Sequence, residues 1–167
     1  MSTKEWGNIT WKFFHTLAAQ IKEDKFSEIR DKLIDIVIQT CSHLPCPDCT
    51  DHASNKVLKR AYIKNIKTKT HFIEFLRQLH NIVNIKLYKK TYTMEEIKNM
   101  YTDVNLYVTT NQFLKIYSKQ HYNIRLITHN MHRQKFIQLL IDNLNSIKYA
   151  MEDKANDKAN DKAKDIV

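Results

Sequence analysis

One glycine and two prolines in 167 residues leave this chain little material for tight turns. Hairpins, sandwiches and barrels depend on frequent turns, and those turns draw on Gly, Pro and Asn. The chain is therefore expected to be all-α. The same scarcity excludes phosphate-cradling loops of the GxGxxG and GxxxxGK[ST] kinds, which need several glycines for close backbone approach. A nucleotide bound by this chain has to be held without a glycine loop. With 43% apolar residues the chain can bury the core of one domain but is too short for two of ordinary size. No stretch approaches the roughly 20 apolar residues of a membrane span, and the opening MSTKEWGNIT lacks the apolar centre of a signal peptide. The expectation is a soluble, intracellular protein without a membrane partner.

Apolar spacing gives the elements. Trp11, Phe14, Leu17, Ala18 and Ile21 recur at three and four, so a first helix is expected over Ile9 to Ile21, capped by Asn8 or Thr10. Ile29, Leu33, Ile36 and Val37 give a second, from about Phe26 to Thr40. It should stop before Pro45, because a residue preceding proline is pushed out of the helical region. Pro47 suits the first position of a third helix, with Cys46 as N-cap and Cys49 in the first turn, running to about Arg60. A fourth starts after Thr70 and carries Phe72, Phe75, Leu76, Leu79, Val83 and Leu87. Thr93-Met94-Glu95-Glu96 reads as a capping box for a short fifth helix through Tyr101. Further helices are expected near 105–118 and 132–149, separated by His121 to Leu126. From Asp153 the chain repeats every four residues without an apolar face and reads as a solvated tail. The expected architecture is a four-helix bundle plus a short fifth helix, with additional C-terminal helices.

The three cysteines, Cys41, Cys46 and Cys49, fall within nine residues, which is wrong for a secreted disulfide scaffold and usual for redox chemistry or metal binding. A thiolate is the attacking species in disulfide exchange, and a CxxC at a helix N-terminus has its thiol pKa lowered there. Cys46-Pro47-Asp48-Cys49 meets that condition and can close a small reducible disulfide, making it a candidate two-electron carrier. The alternative is zinc, for which Cys41, His43, Cys46, Cys49 and His52 offer five ligands in twelve residues. The dithiol reading leads, because zinc pairs usually arrive from separate elements and no second CxxC or HxxxH is present.

Three motifs then carry a resemblance. Trp6-Gly7-Asn8-Ile9-Thr10-Trp11-Lys12-Phe13-Phe14-His15 is similar to the G-x-x-x-W-x-x-x-H opening of the Erv/ALR flavin-linked sulfhydryl oxidases. Pro45-Cys46-Pro47-Asp48-Cys49-Thr50-Asp51-His52 resembles their P-C-x-x-C-x-x-H. His80-Asn81-Ile82-Val83-Asn84-Ile85-Lys86-Leu87-Tyr88-Lys89 resembles their H-N-x-V-N-x-R-L-x-K. The three occur in order over roughly residues 6–101, in a compact form resembling those of large DNA viruses. By this resemblance residues 1–104 would form the FAD-binding oxidase domain, 105–150 a helical extension, and 151–167 the tail.

The resemblance implies an enzyme, an FAD-linked thiol oxidase that forms disulfides in partner proteins. Cys46 and Cys49 would be the catalytic pair. Cys46 would be attacked by a substrate thiolate and Cys49 would pass electrons to the flavin, with oxygen as acceptor and hydrogen peroxide as product. The cofactor-binding residues would be Gly7, Trp11, His15, Cys49, His52, His80, Asn81, Val83, Asn84, Lys86, Leu87 and Lys89. Lys86 and Lys89, with Lys90 adjacent, would neutralise the pyrophosphate. Asn81 and Asn84, three apart on one helix face, need partners that a flavin edge would supply. The implied partners are a dithiol protein of the thioredoxin-like kind and a second copy of the chain, in a cytoplasmic setting. Lys86 stands for the usual Arg, Lys90 for a common Pro and Tyr101 near a common Trp. Cys41, with no second cysteine pair in the chain, reads as a packed thiol at the end of the second helix.

Two other functions compete. The net charge of +9 and the run Lys56, Lys59, Arg60, Lys64, Lys67 and Lys69, with no acid between, could track phosphates of a nucleic acid. Such a run is more often a solvated face, and no nucleic-acid motif accompanies it. The other is a zinc-stabilised interaction module built on Cys41, Cys46, Cys49 and His52.

Overall fold

In the computed structural model, which describes residues 3–53, 58, 63–119 and 127–152, the chain is all-α. The helices described are α1 (Thr3–Ala19), α2 (Phe26–Ser42), α3 (Pro47–His52), α4 (Lys69–Lys86), α5 (Met94–Tyr101), α6 (Leu106–Tyr117) and α7 (Ile127–Ile147). Single turns of 3-10 helix occupy Glu23–Lys25 and Lys148–Ala150. Among the described residues the only β-type pairing is an isolated bridge between Ile21 and Met151. None of the described helices is long and apolar enough to cross a membrane.

Burial on more than one face of α1 sets the architecture. Trp6, Ile9, Phe13, Phe14, Leu17 and Ala18 are buried there, and so are Thr10, His15 and Thr16. A helix sealed on several sides lies inside a fold, unlike one with a single apolar stripe. Helices α4, α5 and α6 pack around α1, while α2 packs against α7 and α3. Phe13 stacks on Phe113 of α6 at 4.6 Å between ring centroids, and Phe113 on Tyr117 at 4.1 Å. Both phenylalanines are fully buried, which contributes about 1.5–3 kcal/mol each. The phenol of Tyr117 is also fully buried and satisfied by the Thr10 hydroxyl at 2.8 Å. Residues 106–117 therefore share one core with the first helix.

The boundaries follow local chemistry. Helix α1 begins earlier than Asn8 or Thr10, which both lie inside it, so neither caps it. Thr10 sends its hydroxyl back to the Trp6 carbonyl at 2.7 Å, the mid-helix use of a residue that also suits caps. The helix stops at Ala19, two residues short of Ile21, because the next residues pair with the C-terminal segment. Lys22 N–H donates to Ala150 and Glu152 N–H to the Gln20 carbonyl. Helix α2 runs to Ser42, ahead of Pro45 as expected. Cys46 is the N-cap of α3, with Pro47 in its first turn. Helix α3 is described to His52, and most of the stretch expected to carry it to Arg60 lies outside the described residues.

Thr68 caps α4 with its side chain on His71 N–H, and Thr93 and Glu96 form the expected capping box on α5. Asn105 caps α6 by accepting from Val108 N–H. The region expected as a helix over 132–149 begins earlier, at Ile127, and ends in the 3-10 turn. The connection from His121 to Leu126 and the tail from Asp153 lie outside the described residues, as do Lys56, Lys59 and Arg60 of the basic run. Lys69 of that run donates to the Ile21 carbonyl at 2.5 Å, a structural contact.

Helix α4 ends in a Schellman arrangement. Tyr88 N–H donates to the Ile85 carbonyl and Lys89 N–H to Asn84, with Tyr88 at φ 52°, where glycine is the usual occupant. That reversal brings residues 89–92 back along the helix. It creates one side of the groove described next.

Candidate active site

A groove of about 870 Å³ opens between α1, α4 and the cysteine segment. Its size is that of a site for a large organic ligand. From α1 come Lys4, Gly7, Asn8, Trp11 and Phe14, and from α4 Leu79, His80, Val83, Asn84 and Lys86. The turn after α4 adds Leu87, Lys89, Lys90 and Tyr92, and the cysteine segment adds Leu44, Cys49, His52 and Ala53. Three stretches far apart in sequence thus share one surface.

Aromatic stacking holds its wall. The Trp11 indole lies on the His80 imidazole at 4.2 Å between centroids and 10° between planes. Behind them His15 Nε2 meets His80 Nδ1 at 3.1 Å, and the His15 ring stacks on Tyr101 at 4.9 Å. His15 is buried, and that burial, reinforced by the neighbouring His80, lowers its pKa to about 3. Burial, with Lys89 nearby, lowers His80 to about 4. Both rings are neutral at pH 7, so the hydrogen bond joins two uncharged imidazoles.

The asparagines are used differently. Asn81 brackets the backbone of Tyr92, accepting its N–H at 2.8 Å and donating to its carbonyl at 2.9 Å. Arg77 adds a second donor to that carbonyl at 2.9 Å. Asn84 donates to the Lys90 carbonyl at 2.7 Å. The partners these amides need are therefore supplied by residues 90–92. Asn84 still lines the groove, whereas Asn81 stands outside it as a brace.

At the cysteine segment, Cys46 and Cys49 are joined in a disulfide with Cα atoms 5.2 Å apart. Cys46 Sγ also accepts the Cys49 N–H at 3.2 Å, the N-cap contact of α3. Cys49 lines the groove and Cys46 does not. Cys41 is a free, buried thiol on the groove's inner side, and burial pushes its pKa up to about 12. A thiol held that firmly protonated is a poor nucleophile. Among the described residues no cluster of three metal-ligating side chains forms.

Charge in the groove is of one sign. Among the described residues Lys4, Lys86, Lys89 and Lys90 line it, and no carboxylate does. Lys90 is paired with Glu96 at 2.5 Å, while Lys4, Lys86 and Lys89 form no ion pair with any described residue. The lining therefore combines flat aromatic surface, one cysteine of a disulfide and cations without an ion-pair partner among the described residues. It suits a ligand with an aromatic ring system and an anionic linker.

A profile of the Erv1/Alr family matches residues 8–102. The chain belongs to the Erv1/Alr family. It is 28% identical over 97 residues to an Arabidopsis thaliana protein named FAD-linked sulfhydryl oxidase ERV1, covering 58% of this chain and 50% of the relative. It is 31% identical over 98 residues to the FAD-linked sulfhydryl oxidase ERV2 of Saccharomyces cerevisiae, covering 59% and 49%. A putative FAD-linked sulfhydryl oxidase, 347L, of Invertebrate iridescent virus 6 is 33% identical over 95 residues, covering 50% of this chain and 80% of that protein. The chain spans about half the length of the plant and yeast relatives.

Against this family pattern, the structure brings Gly7, Trp11, Cys49, His52, His80, Val83, Asn84, Lys86, Leu87 and Lys89 to one groove. His15 and Asn81 stand one layer back, the first behind His80 and the second behind Tyr92. Sequence reasoning missed Lys4, Phe14, Leu79, Leu44 and Tyr92 in the lining, and Cys41 beside it. Phe14 and Leu79 sit on apolar stripes and read only as core. Tyr92 has no motif of its own. Its position is set by Asn81, eleven residues earlier.

Proposed function

We propose that this Erv1/Alr chain is an FAD-linked thiol oxidase that introduces disulfides into dithiol partner proteins, passing electrons from Cys46 and Cys49 to oxygen. The observation that carries the reading is the split of the cysteine pair, Cys49 facing the groove and Cys46 lying outside its lining. A carrier between a protein substrate and a bound acceptor needs one sulfur toward each.

The residues present fit FAD on three counts. A Cβ built on Gly7 meets no heavy atom within 4 Å, so the groove is open above the helix backbone at that point. The free lysines supply charge for a pyrophosphate. The Trp11–His80 stack offers a flat, apolar face of the kind that heteroaromatic rings prefer. The chemistry that FAD supplies when bound is acceptance of two electrons from a dithiol and their donation to dioxygen, with hydrogen peroxide as product.

The protein's own part is thiol exchange and positioning. A substrate thiolate attacks Cys46 Sγ, the Cys46–Cys49 bond breaks, and Cys49 leaves as a thiolate facing the groove. A second substrate thiolate then attacks the mixed disulfide, releasing the oxidised substrate and the Cys46 thiolate. Two electrons now reside on the Cys46 and Cys49 pair. Trp11, His80, Val83 and Leu87 shape the cavity, and Lys86 and Lys89 hold the anionic part of the ligand. Residues 1–104 carry this site, with 105–150 as an extension that supports α1 through Phe113 and Tyr117. The direct substrate is proposed to be a dithiol protein of thioredoxin-like kind, because Cys41 is buried and these 167 residues hold no second pair.

Oxygen uptake tests this. The purified protein should consume oxygen and release peroxide only when given a dithiol, and Cys46→Ser and Cys49→Ser should each abolish uptake. Undiminished uptake in either variant would refute the proposed path.

A further inference from the structure

We infer that His15 is a positioning residue that fixes His80 as the Nε2–H tautomer, so that His80 presents a neutral N–H donor to the groove. The inference rests on geometry one layer behind the cofactor wall. His15 Nε2 and His80 Nδ1 lie 3.1 Å apart, and a single proton must sit between two neutral rings. The other nitrogen of His15, Nδ1, is buried with no hydrogen-bond partner among the described residues. The other nitrogen of His80, Nε2, has no hydrogen-bond partner among the described residues, and His80 lines the groove. Only two proton arrangements are available.

In the first, His15 Nε2–H donates to His80 Nδ1, which leaves His15 Nδ1 as a bare acceptor and His80 Nε2 protonated toward the groove. In the second, His80 Nδ1–H donates to His15, which leaves a buried N–H on His15 without any acceptor. Orphaned buried N–H groups are rarer in folded proteins than under-satisfied acceptors, and the missing bond costs the full desolvation of the donor. The first arrangement is therefore the stable one. Stacking on Trp11, His15 and Tyr101 keeps both rings from turning to another partner. His80 thus offers one donor beside the Trp11 face, and it selects a heteroaromatic ligand with an acceptor atom there. Only that last step relies on the flavin reading; the tautomer is a property of the protein alone.

The test is nitrogen-15 NMR of the full-length chain labelled at histidine, without ligand and then titrated with FAD, at neutral pH. Wild type should show a protonated Nε2 and a bare Nδ1 on both His15 and His80. His15→Phe should replace the single His80 pattern with an exchanging mixture of tautomers and weaken FAD binding about fivefold, the effect of one lost net hydrogen bond. His15→Gln, whose amide can donate in place of Nε2–H, should restore the His80 pattern. A protonated Nδ1 on His80 in wild type overturns the inference, as does a His80 pattern unchanged in His15→Phe. If that variant fails to fold, the wild-type and His15→Gln spectra decide the tautomer by themselves. Failure of FAD to bind wild type, with the tautomers as described, would leave the inference standing and remove the flavin reading.

Discussion

Gly7→Ala separates the stability of α1 from its service to the groove. Gly7 sits within the helix with ordinary negative φ, and a Cβ there meets no heavy atom within 4 Å. Alanine should therefore adopt the native backbone and stabilise the helix by about 0.8–1 kcal/mol. For a chain of this size that corresponds to a rise in Tm of roughly 2–4 °C. The new methyl occupies space that belongs to the groove, so a seated FAD must shift or strain by about 1–3 kcal/mol, roughly a 5- to 150-fold loss of affinity. Thermal unfolding followed by circular dichroism, with and without saturating FAD, reads both effects. The variant should be more stable than wild type without FAD and should gain less from it, because ligand stabilisation scales with occupancy. Higher stability with unchanged FAD affinity would show that Gly7 is not part of the binding surface. A fall in Tm without ligand would refute the backbone argument itself.

Three further outcomes follow from single contacts. The ligand-free protein should lose stability as pH falls from 6.5 to 5, because unfolded histidines take up protons that native His15, at about 3, and His80, at about 4, refuse. The slope should approach about 1 kcal/mol per pH unit from His15, with less from the more exposed His80, and urea melts of wild type and His15→Phe measure it. An equal slope in both proteins would sink the claim. Asn81→Ala should cost about 1–3 kcal/mol in a urea melt by leaving the Tyr92 backbone partly unpaired, and wild-type stability would show that the brace carries no weight. Cys41→Ser should keep most dithiol-dependent oxygen uptake, since burial holds that thiol protonated. Loss of uptake with FAD retained would assign Cys41 a part in the chemistry.

Elements with local signals were legible in the sequence. The capping box at Thr93 and Glu96, the Cys46 N-cap and the stop before Pro45 each depend on residues three or fewer apart, and the structure shows all of them. The start of α1 was misread because Thr10 is an equally good cap or mid-helix residue. What decides its role is Tyr117, 107 residues away. The groove was legible through motif resemblance, which points to about half of its lining. Its second layer was not. Spacing put Asn81 and Asn84 on one helix face, but their partners lie on a turn created by the left-handed Tyr88. The His15–His80 pair bridges 65 residues, and no local pattern encodes it.

The central claim is that electrons enter through Cys46 and Cys49 and leave through FAD held in the groove. The visible spectrum of the purified protein during an anaerobic titration with dithiothreitol tests it most directly. The account predicts flavin absorbance that bleaches with the dithiol in wild type and persists in Cys46→Ser and Cys49→Ser. A colourless protein with stoichiometric zinc, or equal bleaching in Cys49→Ser, would contradict it.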